Sequence, residues 1–375
     1  MNADVVIVGG GVIGWSVAHH LARAGDVRIV VVDAGKGSTE RATGGFRAQF
    51  GTEINVRLSL LSLKKLRVFQ TETGVDPGYL PVGYLFLTES EQQLDRLRTA
   101  MAVQRAAGYT AAGELPPEEA LRRNPWLSPD GVRGAVFSPV DGFLRPLDIR
   151  RGYRRSALSM GVTEVEGKVE VLRVRGGRIE EARTATESFP CAQVVNAAGA
   201  WAARLGTLAG VEVPVSPLRR QVAVTVPTDA IPATAPMTIF PGGFHFRVRD
   251  RQVLLLQPNP GAADPFDVSV EPAWVGEVMA TAHLRVPALR TVPLASSYAG
   301  LYEMSPDEHA LLGPAEEMDN FFLINGSSGH GVMHSPALGQ LAAEMLTGSR
   351  PALDVRALRP SRFREGQPNP DQPLL

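Results

Sequence analysis

The sequence predicts an α/β fold, α+β when the whole chain is counted, with strand–turn–helix units at its two ends and a sheet-rich region between them. Three observations lead there. The apolar run Val5 to Val8 meets the turn Gly9-Gly10-Gly11-Val12-Ile13-Gly14, and small and large side chains then alternate from Ser16 to Ala24 as in a buried helix. Between Pro214 and Pro293 the hydrophobic period is mostly two, the period of strands. The opening order then returns as strand Phe321 to Ile324, glycine loop Asn325 to Gly331 and a helix from about Val332 to Leu346.

Composition narrows the class. Domains usually run to about 100–200 residues, so a chain of 375 residues is expected to hold two. Hydrophobic content of 44%, charged content of 21% and a formal net charge of -1 exclude disorder of the whole chain. They also exclude the basic field that draws nucleic acid or an anionic bilayer, leaving a small molecule as the expected partner. The single cysteine, Cys191, rules out an intrachain disulfide and a multi-thiolate metal site, and a reducing cytoplasm is the simplest setting. The N-terminus lacks a basic segment ahead of its first apolar run, and no stretch is long and apolar enough to span a membrane, so neither a signal peptide nor a membrane span is expected.

The elements follow in order. A second buried strand, Arg28 to Val32, ends in Asp33, and the glycine-rich stretch Gly35 to Gly45 leads through Thr52 and Glu53 into an amphipathic helix reaching Phe69. Thr88 and Glu91 read as a capping box opening a polar helix to about Ala107, and Pro125 closes a shorter one. These two form an insertion. After Pro146 come a helix to about Met160, a strand from Val169 to Val174, the turn Gly176-Gly177, a return strand, and the strand Gln193 to Asn196 running into Ala197-Ala198-Gly199. The sheet-rich region shows period two at His245-Phe246-Arg247-Val248 and at Val253 to Leu256, with one helix around Trp274 to His283.

In Gly9-x-Gly11-x-x-Gly14 the glycines supply a tight turn, a backbone open to a pyrophosphate, and close packing of helix on strand. Asp33 ends the next strand 19 residues after Gly14, where a carboxylate can accept ribose hydroxyls. A dinucleotide is therefore expected, though FAD and NAD share this fingerprint. The C-terminal loop Ser327-Ser328-Gly329-His330-Gly331 opens another helix, whose positive end suits the N1 and C2 carbonyl edge of a reduced, anionic flavin. Taken alone, that loop reads equally well as a glycine turn between core elements.

Several segments together resemble the D-amino-acid oxidase superfamily of FAD-dependent oxidoreductases. They are Gly9 to Gly14, the stretch Gly37-Ser38-Thr39-Glu40-Arg41-Ala42-Thr43-Gly44-Gly45-Phe46-Arg47-Ala48-Gln49-Phe50, Val194 to Trp201, Tyr298 to Tyr302, and Gly329 to Met333. Within that superfamily the chain is similar to the FAD-carrying beta subunits of L-proline dehydrogenase and sarcosine oxidase, from its first strand to about Phe363. The resemblance implies a Rossmann-type FAD-binding domain (1–82, 146–215 and 320–364) interleaved with a sheet-rich substrate domain (83–145 and 216–319), followed by a tail at 365–375. It sets the flavin ring at the domain boundary.

By position the resemblance assigns Gly9, Gly11, Val12, Ile13, Gly14, Asp33 and Ala34 to the cofactor, with Arg41, Ala42, Thr43, Gly44, Gly45, Phe46 and Arg47 nearer the ring. It adds Val169 at the adenine, then Ala197, Gly199 and Trp201, then Gly329, His330, Gly331, Val332 and Met333. Arg47 matches a cation over the flavin, and Tyr302 matches a pocket tyrosine. Monomeric sarcosine oxidases hold the substrate carboxylate with an arginine and a lysine that here are Phe50 and Met333, so that pair is absent. His245 and Arg247, on one face of their strand, could replace it; the alternative is an exposed face with solvated charges. Members with a cysteinyl flavin carry cysteine where this chain has Gly300, so the FAD is expected to be noncovalent, and Cys191 reads as a structural thiol.

The expected activity is removal of a hydride from the carbon beside the nitrogen of a small, secondary or cyclic amino acid, proline- or sarcosine-like, without a metal. The electron acceptor stays open, and a heteromeric partner subunit is possible. Two other readings compete. One is a flavin-fold accessory or assembly protein that works by binding a partner, and the other is a nicotinamide-dependent dehydrogenase.

Overall fold

The computed structural model describes residues 2–35, 37–259 and 262–370; the last five residues of the expected tail, 371–375, lie outside the described residues. The architecture is mixed α/β, organised on two eight-stranded sheets. The first runs in the order Leu311–Ala315, Met318–Asn325, Ser188–Asn196, Ala3–Val8, Ile29–Asp33, Thr163–Glu166, with the hairpin Val171–Arg175 and Arg178–Arg183 branching from Ser188–Asn196. Its central strands are parallel and read as unbroken apolar runs because both faces are covered: Val6, Ile7, Val31, Val194 and Val195 are all fully buried. Helices Val12–Ala24 and Gly331–Leu346 lie side by side on this sheet. Ser16 Oγ donates to the Ser335 carbonyl at 2.7 Å across their contact, where Gly339 leaves no side chain between them.

The second sheet runs Leu294–Met304, Ser216–Thr225, Gln252–Leu256, His245–Arg249, Met237–Ile239, Tyr84–Thr88, Gly134–Ser138, Gly113–Leu115. Period two divides it into two faces. Leu85, Ala223, Phe246 and Leu255 pack on the helix Pro272–Arg285 through Trp274 and Val278. Register places Tyr302, Arg220, Val222, Leu256, His245, Arg247 and Tyr84 on the opposite face, in line across neighbouring strands. That face is turned toward the first sheet's glycine turns, since a Cβ on Gly45 would meet the Tyr84 hydroxyl and one on Gly329 the Tyr302 ring.

Three details depart from the sequence reading. Thr88 remains in its strand, paired with Gly134, so the helix Glu91–Ala106 is capped two residues later. Ser90 Oγ accepts from Gln93 N–H at 3.3 Å, and Gln93 Oε1 accepts from Glu89 N–H at 2.7 Å. The strand Leu311–Ala315, which a boundary at 319 would give to the substrate domain, pairs with Met318–Asn325 in the first sheet. Finally, the face bearing His245 and Arg247 is not a solvated one, because Arg247 is only 4% exposed. Among the described residues no helix is long and apolar enough to cross a membrane, and no cluster of side chains could hold a metal ion.

Candidate active site

One cavity of about 690 Å³ runs from the first glycine turn to the polar face of the second sheet. Its first end is built by Gly9, Gly11, Val12 and Ile13, at the N-terminus of a 13-residue helix whose first turn carries no acidic residue. Gly9 holds φ at 113°, and a Cβ there would sit 2.2 Å from the Ala197 carbonyl oxygen. Gly14 does not line the cavity; it seats the helix on the strand, for its Cβ would lie 1.9 Å from the Gly9 carbonyl. Asp33, Ala34 and Val169 line the same end, with Ala197, Gly199 and Trp201 along one wall and Arg41, Ala42 and Thr43 along another. Asp33 Oδ2 accepts from Arg150 Nη2 at 3.0 Å, and Arg150 Nε also donates to the Gly10 carbonyl at 2.7 Å, bracing the turn.

These features fit FAD. A helix N-terminus faces the cavity, and the cations Arg41, Lys168 and Arg204 line the same space, which together suit a pyrophosphate. A second helix, of 16 residues and again with no acid in its first turn, opens on the same space through Gly329, Gly331 and Val332. Tyr302 stands opposite that loop.

The remaining expected residues lie behind the wall. Gly44, Gly45 and Phe46 sit under the second sheet, Met333 is buried in the core, and neither Arg47 nor His330 lines the cavity. Arg47 is clamped. Its Nη1 donates to the Gln49 carbonyl at 3.1 Å, its Nη2 to His330 Nε2 at 3.3 Å, and its guanidinium lies 4.3 Å from the centre of the Phe50 ring. A guanidinium can only donate, so His330 Nε2 accepts and the imidazole is neutral, in keeping with burial and the neighbouring Arg47 charge, which hold its pKa well below the ordinary value. Ser59 Oγ donates to the Arg47 carbonyl at 2.8 Å and accepts from His334 Nε2 at 2.9 Å. Buried Asp141 fixes the next residues, accepting from Ala48 N–H at 2.9 Å and Gln49 Nε2 at 3.1 Å.

Arg247 takes a bracing position in place of the expected contact with a carboxylate. It donates to the Thr43 carbonyl and, at 3.0 Å, to the Gly44 carbonyl, and it stacks 3.7 Å from the Phe143 ring centre. His245 Nδ1 donates to the Gly243 carbonyl at 2.8 Å, and burial pushes its pKa down to about 4, so it is a neutral group.

Residues that sequence reasoning missed also line the cavity, chief among them Arg220 and Glu303. Period two sends Glu303 away from Tyr302, yet both reach the space because Leu294–Met304 is the edge strand of its sheet. Arg220 sits in an Arg219-Arg220 doublet, and only the strand register tells which of the two turns inward. Glu303 is buried; Oε1 accepts from Ser327 N–H at 3.3 Å, and Oε2 has no hydrogen-bond partner among the described residues. Desolvation raises its pKa to about 7. The proton is thus retained below about 7, and as pH rises through that value the ionised form becomes a buried, uncompensated charge. A cofactor that fills the cavity desolvates this lining carboxyl further and raises its pKa again, so FAD affinity should fall roughly tenfold or more between about pH 6 and about pH 9, a drop that Glu303→Gln, which mimics the protonated acid, should largely abolish. Fluorescence of released FAD measures this; an equal drop in both proteins would exclude Glu303.

Comparison with known proteins agrees with this geometry. The family model described as DAO, FAD dependent oxidoreductase, matches residues 4–345. "FAD-dependent oxidoreductase domain-containing protein 1" of Xenopus laevis is 31% identical over 98% of this chain and 84% of its own length. The mitochondrial sarcosine dehydrogenase of Mus musculus is 27% identical over 96% of this chain, which spans only 41% of that longer protein. The crystal structure of L-proline dehydrogenase from P. horikoshii superposes with a TM-score of 0.92 at 27% identity, covering 98% of this chain and 99% of that one. The chain belongs to the DAO family of FAD-dependent oxidoreductases and is an FAD-dependent enzyme of that family.

Proposed function

We propose that the enzyme oxidises the C–N bond of a small secondary or cyclic amino acid, proline- or sarcosine-like, with noncovalent FAD. The observation that carries this reading is the polar pair Tyr302 and Arg220 beside an apolar floor of Val222 and Leu256, set against the glycine loop at Gly329; His245 shares their sheet face but does not line the cavity. The likeness to an L-proline dehydrogenase and a sarcosine dehydrogenase supports the substrate class. FAD supplies the hydride acceptor. The chain's own groups orient the substrate and exclude water, while His245 and His330 stand behind the wall as neutral imidazoles. Noncovalent binding is supported at Gly300, where a Cβ would meet the Arg41 Cβ at 2.6 Å and leave little room for an attachment cysteine. An anaerobic screen of amino acids against flavin absorbance tests the substrate class, and failure of every amine to bleach the flavin would favour a partner-binding role.

Oxygen should be the poorer acceptor. The resemblance places a lysine beside the flavin in monomeric sarcosine oxidases, on a strand whose equivalent region here reads Leu254-Leu255-Leu256-Gln257, and no lysine follows Lys168. That apolar strand offers a nascent superoxide anion no countercharge of its own, the nearest lining cation being Arg220 on the neighbouring strand, and an unpaired buried charge is costly. Reduced enzyme mixed with air-saturated buffer should reoxidise at least about tenfold more slowly than with a quinone or phenazine, a free-energy difference of roughly 1.4 kcal/mol. Equal rates with stoichiometric peroxide would make the protein an oxidase.

A further inference from the structure

We infer that Phe266 is a positioning residue of the cofactor site: from the second sheet's side it holds the Arg204 guanidinium at the cavity rim, where Arg204 grips the phosphates of FAD. This concerns retention of the cofactor and holds whichever amine is oxidised. Arg204 belongs to the helix Ala202–Ala209, which follows the strand Ser188–Asn196 of the first sheet. It lines the cavity beside Trp201 and is otherwise exposed. Phe266 lies between the strand Gln252–Leu256 and the helix Pro272–Arg285, and so comes from the second sheet's side. Its half-buried ring is centred 3.5 Å from the Arg204 guanidinium carbon and 5.8 Å from the Trp201 ring. It therefore backs two lining residues without lining the cavity itself.

Arg219 keeps Phe266 in place. Only 2% exposed, it donates from Nη1 to Asp267 Oδ2 at 3.0 Å and to the Ser269 carbonyl at 3.2 Å, and from Nη2 to Glu271. A buried guanidinium is costly unless paired, and these partners all fall in the segment 264–271. Side-chain turns shape the same segment, with Asp264 Oδ1 accepting from Phe266 N–H at 2.9 Å and Asp267 Oδ1 from Ser269 N–H at 2.7 Å. Gln221 Oε1 accepts from Glu271 N–H at 2.6 Å and ties the segment's end to the sheet. Phe266 is thus presented by a braced stretch. Its ring covers the flat face of the Arg204 guanidinium and leaves the N–H edge for an anion. Arg204 makes no ion pair with a carboxylate among the described residues, so a phosphate meets no competitor there. Arg41, another cation of the rim, is met by Tyr298 from the second sheet in the same manner but more loosely, at 6.0 Å.

The test follows FAD leaving the purified holoenzyme on dilution, read by the fluorescence of the released cofactor. Arg204→Gln should speed release on the order of tenfold, as loss of one charge-assisted contact does. Phe266→Ala should speed it about three- to fivefold, the scale of a cation–π contact. Phe266→Leu, which keeps apolar bulk without a ring face, should match the alanine variant, and Phe266→Tyr should match wild type. Combined with Arg204→Gln, Phe266→Ala should add nothing further, because the ring acts through Arg204. Release at the wild-type rate in Phe266→Ala or in Arg204→Gln overturns the assignment. So does a Phe266→Leu protein that retains FAD like wild type, or a double variant whose effect is the product of the two single ones, since either would leave Phe266 a packing residue only.

Discussion

Gly14→Ala should purify colourless. The added Cβ would lie 1.9 Å from the Gly9 carbonyl oxygen and 3.1 Å from its carbon, both backbone atoms that cannot turn aside. The helix Val12–Ala24 must then lift from the strand Ala3–Val8, carrying its N-terminus away from the cavity wall it shares with Gly9 and Gly11. Overpacking of this kind costs about 1–3 kcal/mol in stability. FAD should be hit harder, with a loss of affinity on the order of 100-fold or more, because several backbone donors at one helix end are displaced together. Gly276→Ala supplies the control. Gly276 lies in the helix Pro272–Arg285 with nothing within 4 Å of an added Cβ, so that change should keep full flavin content and add roughly 0.5–1 kcal/mol. Flavin per polypeptide after gel filtration, with thermal melts of both variants, reads the outcome. Wild-type flavin content in Gly14→Ala would mean that this turn does not bind the dinucleotide.

Arg47→Met should keep FAD yet slow its reduction by substrate on the order of 100-fold, the usual loss when one preorganised charge or donor is removed. Arg47 lies behind His330, which opens the second helix, so its charge acts on the loop end of the cavity through a neutral imidazole. The side chain is held from three sides, by the Gln49 carbonyl, by His330 and by the Phe50 ring, so its charge stays in one place while negative charge develops nearby. Methionine fills similar volume without charge, and Arg47→Lys should recover part of the rate. Anaerobic stopped-flow reduction at the wild-type rate in Arg47→Met would remove Arg47 from the mechanism.

The parts legible in the sequence are those whose signals are local. The turn Gly9 to Gly14, Asp33 at the end of the next strand, and the loop ahead of Gly331 each declare themselves within a few residues, and each lines or supports the cavity. Destinations fixed by distant register were not legible. Arg220 turns inward and Arg219 outward because Ser216–Thr225 pairs with Leu294–Met304 in one register and not its neighbour. Arg247 looked free in a strand read alone, whereas Thr43 and Gly44, some two hundred positions earlier, supply the carbonyls that hold it. Arg150 carried no local signal, yet it ties Asp33 to the Gly10 carbonyl across the fold.

The most direct measurement is an anaerobic titration of the yellow holoenzyme with L-proline and with sarcosine, followed by flavin absorbance. The expected result is complete bleaching by at least one of them, with one substrate molecule consumed per flavin and colour restored by a quinone. Flavin that stays oxidised with both, and with every other small amino acid, would contradict amino-acid oxidation as the function of this site.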